Sequence, residues 1–440
     1  MRRIHIISII SVILLSTSAI QAQSLFDLPL FGQQGPRQQD KSVKFEYGAD
    51  FQYYMDFRGM SISDDLFMSS ETFNVARLSP SAGLSFEQGR NTRHRLMAGI
   101  DLVKNLGEYP IELVLYSTGE DDPKLNNLAL FKEIFYYYNM QSRLGDGLLS
   151  LYAGIFPRSC LDGDYSRVHF SDEFKVSDVN LEGALVSYRT HRLYAELAVD
   201  RMGKTGVDRR ERMMAVTAGS YRLFDWASIG WSGTYMFCGE SYLEPYDVHN
   251  AVLNPYLKFE FGQTLKMDEL SLKAGAIASF QKDMEYHNLG AEYDDAPHFP
   301  LGVEAVLTAR KWGFGIENTF FYGDNMMPFR ADSYVSKTGV FNHLLYTGDP
   351  FYFTHRGFAA GYDRAEVFYQ PHVADFLDIR LSGVAHFIMP VSDVYGTFMG
   401  WQAQASLYFS LEDLLSPKKT PSARQSRKQS KVPHSPSIVL

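Results

Sequence analysis

Apolar and polar side chains alternate residue by residue through most of this 440-residue chain. A period of two belongs to β-strands, whose successive side chains point to opposite faces. From Thr397 to Leu411 one face carries Met399, Trp401, Ala403, Ala405, Leu407, Phe409 and Leu411, and the other carries Gly400, Gln402, Gln404, Ser406, Tyr408 and Ser410. The preceding segment repeats the pattern, with Leu377, Ile379, Leu381, Ala385, Phe387 and Met389 opposite Asp378, Arg380, Ser382 and His386. Val43, Phe45, Tyr47, Ala49, Phe51 and Tyr53 likewise oppose Lys44, Glu46, Asp50, Gln52 and Tyr54. A soluble sandwich and a barrel in lipid both suit strands with one oily face. The segments run about 10 to 15 residues, against 5 or 6 in ordinary sheets, and carry aromatics near their ends, which favours the barrel.

The pattern predicts about 16 strands, near 43–57, 75–88, 93–105, 131–142, 148–158, 181–190, 192–203, 211–223, 226–238, 252–264, 268–283, 302–312, 314–323, 362–374, 377–389 and 397–411. Counts of 14 and 18 stay open. Short connections alternate with long ones, the latter near 58–74, 106–130, 159–180, 239–251, 284–301, 324–361 and 390–396. An even count puts both ends beside the short turns, on the periplasmic side, with the long loops outside. Ile111–Tyr116 alternates weakly and reads as part of a loop over the mouth.

The ends frame this domain. Arg2 and Arg3, an apolar run from Ile6 to Leu15 and a small-residue exit at Ala22 make residues 1–22 a signal peptide. That run is far shorter than the ~20 residues needed to span a bilayer as a helix. Residues 23–42 form a periplasmic lead, 43–411 the transmembrane barrel, and 412–440 a basic, Pro/Ser-rich disordered tail. With 51 acidic and 42 basic residues the chain is too acidic for a dedicated nucleic-acid binder.

The signal, the strand pattern, the loop alternation and the aromatic final strand Trp401–Leu411 together resemble a porin-like β-barrel of the Gram-negative outer membrane. The resemblance covers 43–411 and implies an all-β, closed antiparallel barrel in outer-membrane lipid, inserted by the barrel assembly machinery and often a homotrimer. It also implies transport of small hydrophilic solutes. The chain departs from the class by continuing past its aromatic strand to Leu440.

If the oily faces touch lipid, the wet faces line the lumen. Acidic candidates are Glu46, Asp50, Glu133, Glu196, Asp200, Glu260, Glu304 and Glu317, with Asp56, Glu87, Asp101, Glu366 and Asp378 on the same faces. Basic candidates are Arg189, Lys258, Lys273, Arg310 and Arg380, with Lys44 and Arg95. The acidic excess predicts a weak cation preference, whereas pairing across the lumen would make these groups structural. Loop 324–361, with Arg330, Asp332, His355 and Arg356, is the expected constriction, and a plain surface cap is the alternative. Loop 159–180 gathers Asp162, Asp164, Asp172, Glu173 and Asp178, oxygens suited to calcium but without EF-hand spacing.

Cys160 and Cys238 both fall on the outer side; a disulfide and two free thiols are open. No Gly-x-Ser-x-Gly elbow, His-Glu-x-x-His or P-loop appears, so neither an enzyme nor a cofactor is expected. Asp378, Ser382 and His386 stand about 13 Å apart in succession along one strand, too far for a proton relay. The predicted function is passive diffusion of small hydrophilic solutes. The rival is a closed barrel acting through its loops as an adhesin or as a partner in secretion or uptake.

Overall fold

A computed structural model describes residues 43–60, 72–89, 91–106, 131–202, 211–239, 247–282, 285–287, 292–294, 297–326, 332–336, 339–343, 347–352, 359–390, 397–411 and 414. Its sixteen long strands are β1 (Lys44–Met60), β2 (Thr72–Gln88), β3 (Thr92–Asn105), β4 (Phe131–Leu144), β5 (Gly147–Pro157), β6 (Asn180–Arg189), β7 (Leu193–Arg201) and β8 (Arg212–Phe224). They continue as β9 (Ala227–Cys238), β10 (Val248–Glu260), β11 (Glu269–Lys282), β12 (Leu301–Lys311), β13 (Phe314–Gly323), β14 (Ala359–Tyr369), β15 (Leu377–Pro390) and β16 (Phe398–Ser410).

Each strand pairs antiparallel with its neighbour in sequence, and β1 pairs with β16 from Asp50↔Ser410 to Met60↔Gly400. The sheet therefore closes on itself and leaves no open edge, as a sheet in hydrocarbon must. All sixteen predicted strands are present, so the expected fold holds. Several boundaries move by three to five residues, and two of the shifts have a clear cause. The strand expected at 252–264 runs from Val248 to Glu260 because the chain turns through a short helix, Gly262–Leu265, that ends on left-handed Lys266 (φ 54°). The strand expected at 362–374 stops at Tyr369, just before Pro371, which lacks the N–H that a ladder requires.

Short turns join the strands at one end. Trp312 and Gly313, with φ of 55° and 82°, make the β12–β13 turn, whose two positive angles match the twist of a tight hairpin. At the other end the 285–297 region holds the small hairpin Glu285–His287/Glu292–Asp294, and loop 324–358 holds Asp332–Ser336/Gly339–His343. Ile111–Tyr116, the expected signal peptide and lead, and nearly all of the expected tail lie outside the described residues.

The outer face is apolar. Leu84, Leu96, Ile134, Leu197, Ile229, Leu253, Val303, Leu307, Ile316, Val367 and Leu381 are all exposed. Aromatics ring both ends of this belt. At the short turns Phe224 stacks on Trp226 (5.5 Å between ring centres), Trp226 on Phe259 (6.1 Å), and Phe314 lies 4.5 Å from Tyr369. At the loop end stand Tyr235, Tyr322, Phe398 and Trp401. Side chains this oily, left in water over a closed surface, would aggregate; in lipid they are solvated.

Candidate functional site: the inward segment and the lumen wall

The connection after β5 does not stay outside. It leaves β5 through a short 3-10 turn, Arg158–Cys160, and ends in one helical turn, α1 (Asp172–Ser177), whose Ser171 hydroxyl accepts from the Phe174 N–H at 3.0 Å. Between them the chain crosses the lumen. Asp164 places its two carboxylate oxygens 2.9 Å from the ammonium groups of Lys258 on β10 and Lys273 on β11. Ser166 donates to Glu304 on β12, and His169 meets Thr234 on β9 at 3.0 Å. Arg167 pairs with Asp172 at 2.7 Å, and Arg364 of β14 stands 3.8 Å from the same carboxylate. Val176 packs with Tyr54 of β1 and Val75 of β2.

Glu196 on β7 is the main acceptor for this segment. Its carboxylate takes the backbone N–H groups of Asp162 (3.0 Å) and Gly163 (2.8 Å), the Tyr165 hydroxyl (2.7 Å) and the Tyr194 hydroxyl. Gly163 is required by this approach: a Cβ there would lie 2.3 Å from that of Ala218 and 2.6 Å from Glu196 Oε1. Nearby, Arg158 bridges Asp178 (2.9 Å) and Asp200 on β7 (2.8 Å), and its guanidinium lies 4.8 Å from the centre of the Phe174 ring.

The electrostatics of the segment follow from this packing. Burial alone would raise the Asp164 carboxyl, but the two lysines overcome it and hold it well below the usual carboxylate range. Asp172 is likewise depressed, with Arg167 foremost among the cations that outweigh burial. Burial and the neighbouring Lys273 push His169 down to about 3, so its ring is neutral. Asp349 is raised, chiefly by burial. Asp164, Asp172 and Asp178 thus each answer a different cation, and their oxygens do not converge as a calcium site would need. Cys160 and Cys238 are not joined to each other in a disulfide; burial, with Asp162 beside it, pushes the Cys160 thiol up to about 12.

The lumen wall is not wet throughout, contrary to expectation. On β6 to β10 the inner face is not uniformly wet: Leu181, Leu185, Ala198, Met214, Val216, Met236 and Val248 point inward. They are covered by Phe170 and Phe174 of the inward segment and by Phe156. An apolar inner face is stable here because chain, rather than water, lies against it.

The opposite wall is ionic and amide-rich. Arg364 bonds Glu366 at 2.5 Å, and Arg380 bonds Glu366 at 2.6 Å. His386 meets the Tyr362 hydroxyl at 3.0 Å and Gln402 at 2.9 Å, while Gln402 donates to Asp56 at 3.2 Å and Asp56 pairs with Arg58 at 2.8 Å. The Phe351 ring lies 4.5 Å from that of His386, stacked. Phe351 belongs to 347–352, which also fixes the inward segment: Ser171 N–H donates to the Thr347 carbonyl (2.8 Å), Asp349 N–H to that of Arg167 (2.8 Å), and the Thr347 hydroxyl to that of His169 (2.6 Å). Asp378, Ser382 and His386 turn to three different partners, Gln370, Gln404 and Tyr362.

The predicted lumen residues all stand on inner faces. Glu46 pairs with Arg93 and with Arg95 (2.6 Å), and Glu133 accepts from Asn180 (2.5 Å). Arg189 bonds Asp162 (2.8 Å) and lies over the Tyr194 ring; Arg310 is 3.7 Å from Glu269, and Glu317 is 4.0 Å from Arg364. Asp50 and Glu260 sit on the inner faces of β1 and β10, partly buried.

The expected constriction differs. Arg330, His355 and Arg356 lie outside the described residues, and Asp332 is described only as the first residue of its small hairpin. The described chain that crosses the lumen comes from 158–178, with 347–352 against it. Arg158, Tyr165, Arg167 and Arg364 were missed. Arg364 could have been found from the alternation Tyr362, Arg364, Glu366, Phe368, whereas nothing local marks a loop that turns inward.

No protein-family model matches the chain, and no curated protein does. Among solved structures it resembles Salmonella typhi OmpF in complex with daunomycin (TM-score 0.44, 10% identity, covering 83% of this chain and 97% of that one). It also resembles Acinetobacter baumannii OccAB3 (0.41, 8%, 83% and 99%) and Pseudomonas aeruginosa OccK5, also called OpdH (0.39, 9%, 83% and 98%). The architecture rests on the strand pairing itself. With sixteen antiparallel strands closed edge to edge, an apolar aromatic-ringed exterior and a charged interior, the chain has the architecture of a transmembrane β-barrel.

Proposed function

We propose that this barrel is a channel for passive diffusion of small hydrophilic solutes, narrowed by the inward segment 158–178. The observation that carries the reading is the interior. A barrel of sixteen strands is wide enough for an aqueous lumen, and this one lines it with charges, hydroxyls and amides that would be costly to bury without water or partners. The acidic excess supports a weak cation preference; it stays weak because Glu46, Glu196, Asp200, Glu304 and Glu366 are each engaged by a donor or cation. Nothing in this role calls for catalysis or a cofactor. Insertion by the barrel assembly machinery and assembly as a homotrimer belong to the same proposal.

A second reading is favoured by one specific observation. The inward segment reaches wall strands on opposite sides of the lumen, from Tyr54 on β1 through Glu196 on β7 to Glu304 on β12 and Arg364 on β14. A barrel sealed in this way would act through its outer loops, as an adhesin or as a partner in secretion or uptake.

Single-channel current of the folded protein in a planar bilayer under a salt gradient decides between them. Discrete steps with a reversal potential of cation-preferring sign support the channel. Silence from folded protein supports the sealed barrel.

A further inference from the structure

We propose that a depression on the inner wall at the short-turn end, beneath the inward segment, binds a small oxyanion, a carboxylate or a phosphate. It is a shallow depression formed by the turn between β6 and β7 and the adjoining ends of β8, β9 and β10. Three guanidinium groups, Arg189, Arg192 and Arg222, contribute to its lining, against the single carboxylate of Glu260. The mouth of this acidic chain is therefore locally basic.

The register brings these groups together. Arg189 pairs across strands with Tyr194, Tyr194 with Ser220, and Arg222 with Ser228, all on inner faces. Arg192 adjoins Arg222 directly, because its carbonyl accepts the Arg222 N–H at 2.9 Å. Guanidinium stays charged at any physiological pH and presents a planar fork that fits two oxygens of one anion. The hydroxyls of Ser220 and Ser228, also in the lining, can donate to the remaining oxygens.

The wall is held in shape before any ligand arrives. Thr190 Oγ1 accepts the N–H groups of Arg192 (3.2 Å) and Leu193 (2.9 Å), which fixes the turn. Arg189 is oriented by the Tyr194 ring, 4.6 Å from its guanidinium carbon, and by Asp162 at 2.8 Å. Asp162 comes from the inward segment and already presents a carboxylate to this arginine. An incoming oxyanion would supply the same chemistry in its place.

The test is calorimetric titration of the folded full-length protein in detergent micelles at low ionic strength, with inorganic phosphate and, separately, with succinate. Saturable binding is expected, weakened about tenfold or more in R192Q/R222Q, a loss that corresponds to one guanidinium–oxyanion contact. The anion that binds more tightly identifies the ligand class. Absence of saturable binding for both anions overturns the site, as does binding that the double variant leaves unchanged. If the double variant does not fold, R192Q alone decides, because Arg192 is exposed on a turn; unchanged affinity there overturns the proposal. The measurement does not involve current, so a silent bilayer experiment would leave its outcome intact.

Discussion

The two ion pairs of Asp164 give the inward segment its clearest test. In Asp164→Asn the shape of the side chain is kept while its charge is lost. Lys258 and Lys273, whose side chains are 4% and 9% exposed, would then each lose the carboxylate oxygen they meet at 2.9 Å. Breaking a buried ion pair from one side costs about 3–5 kcal/mol. The amide oxygen recovers part of this as a hydrogen bond of roughly 1 kcal/mol. A net loss of about 3 kcal/mol moves the equilibrium between wall-bound and released segment by roughly a hundredfold. The assay is single-channel recording of wild type and variant side by side, with labelling of Cys160 by a maleimide as a second readout, because its thiol packs in the cluster that the segment covers. The variant is expected to show larger or flickering conductance steps and faster labelling. A folded variant with unchanged steps and unchanged labelling would refute the claim that Asp164 anchors a segment across the path.

Other outcomes follow from the same contacts. Gly163→Val should reproduce the Asp164→Asn phenotype, since even a Cβ would overlap Ala218 and Glu196; unaltered conductance would show that the close approach is unimportant. Glu196→Gln should weaken hydrogen bonds to a charged acceptor worth about 1.5–3 kcal/mol each. It should therefore speed tryptic cleavage after Arg167 in micelles, and an unchanged cleavage rate counts against Glu196 as the main acceptor. His169 titrates in the folded protein at about 3, below its unfolded value of about 6.5. The unfolded chain thus binds the extra proton below about pH 6.5, and stability falls on acidification through the window from there to about 3. Between pH 7 and 5 the loss is roughly 2 kcal/mol, visible as a lower urea midpoint that His169→Gln should largely abolish; an equal drop in both proteins would assign it elsewhere. Neutralising Asp50 together with Glu196 and Asp200 should lower cation preference, read as a reversal potential closer to zero. An unmoved potential would mean that these carboxylates do not face the permeating ions.

How far the sequence reached can be judged from particular strands. The face Trp401, Ala403, Ala405, Leu407 and Phe409 could be assigned to lipid because alternation is a local property: each residue's side is fixed by its neighbours two positions away. The same rule placed Glu196, Lys258, Lys273, Glu304 and Arg380 inside. What failed was the expectation that the inner face is wet throughout: Leu181, Leu185 and Val216 are apolar and point inward. Their cover is Phe170 and Phe174, on a loop that carries no alternation to read.

The sequence by itself pointed to the barrel: about sixteen long runs of period two, turn residues between them, and an oily face along the strands favour closure in lipid, which satisfies both backbone and side chains. Only the tertiary structure decided what the barrel contains. Asp164 meets Lys258 and Lys273 across 94 and 109 residues, and Ser166 meets Glu304 across 138. Such pairings exist only once closure has brought distant strands around a common space. A carboxylate in a loop carries no local sign of which cation it will meet there.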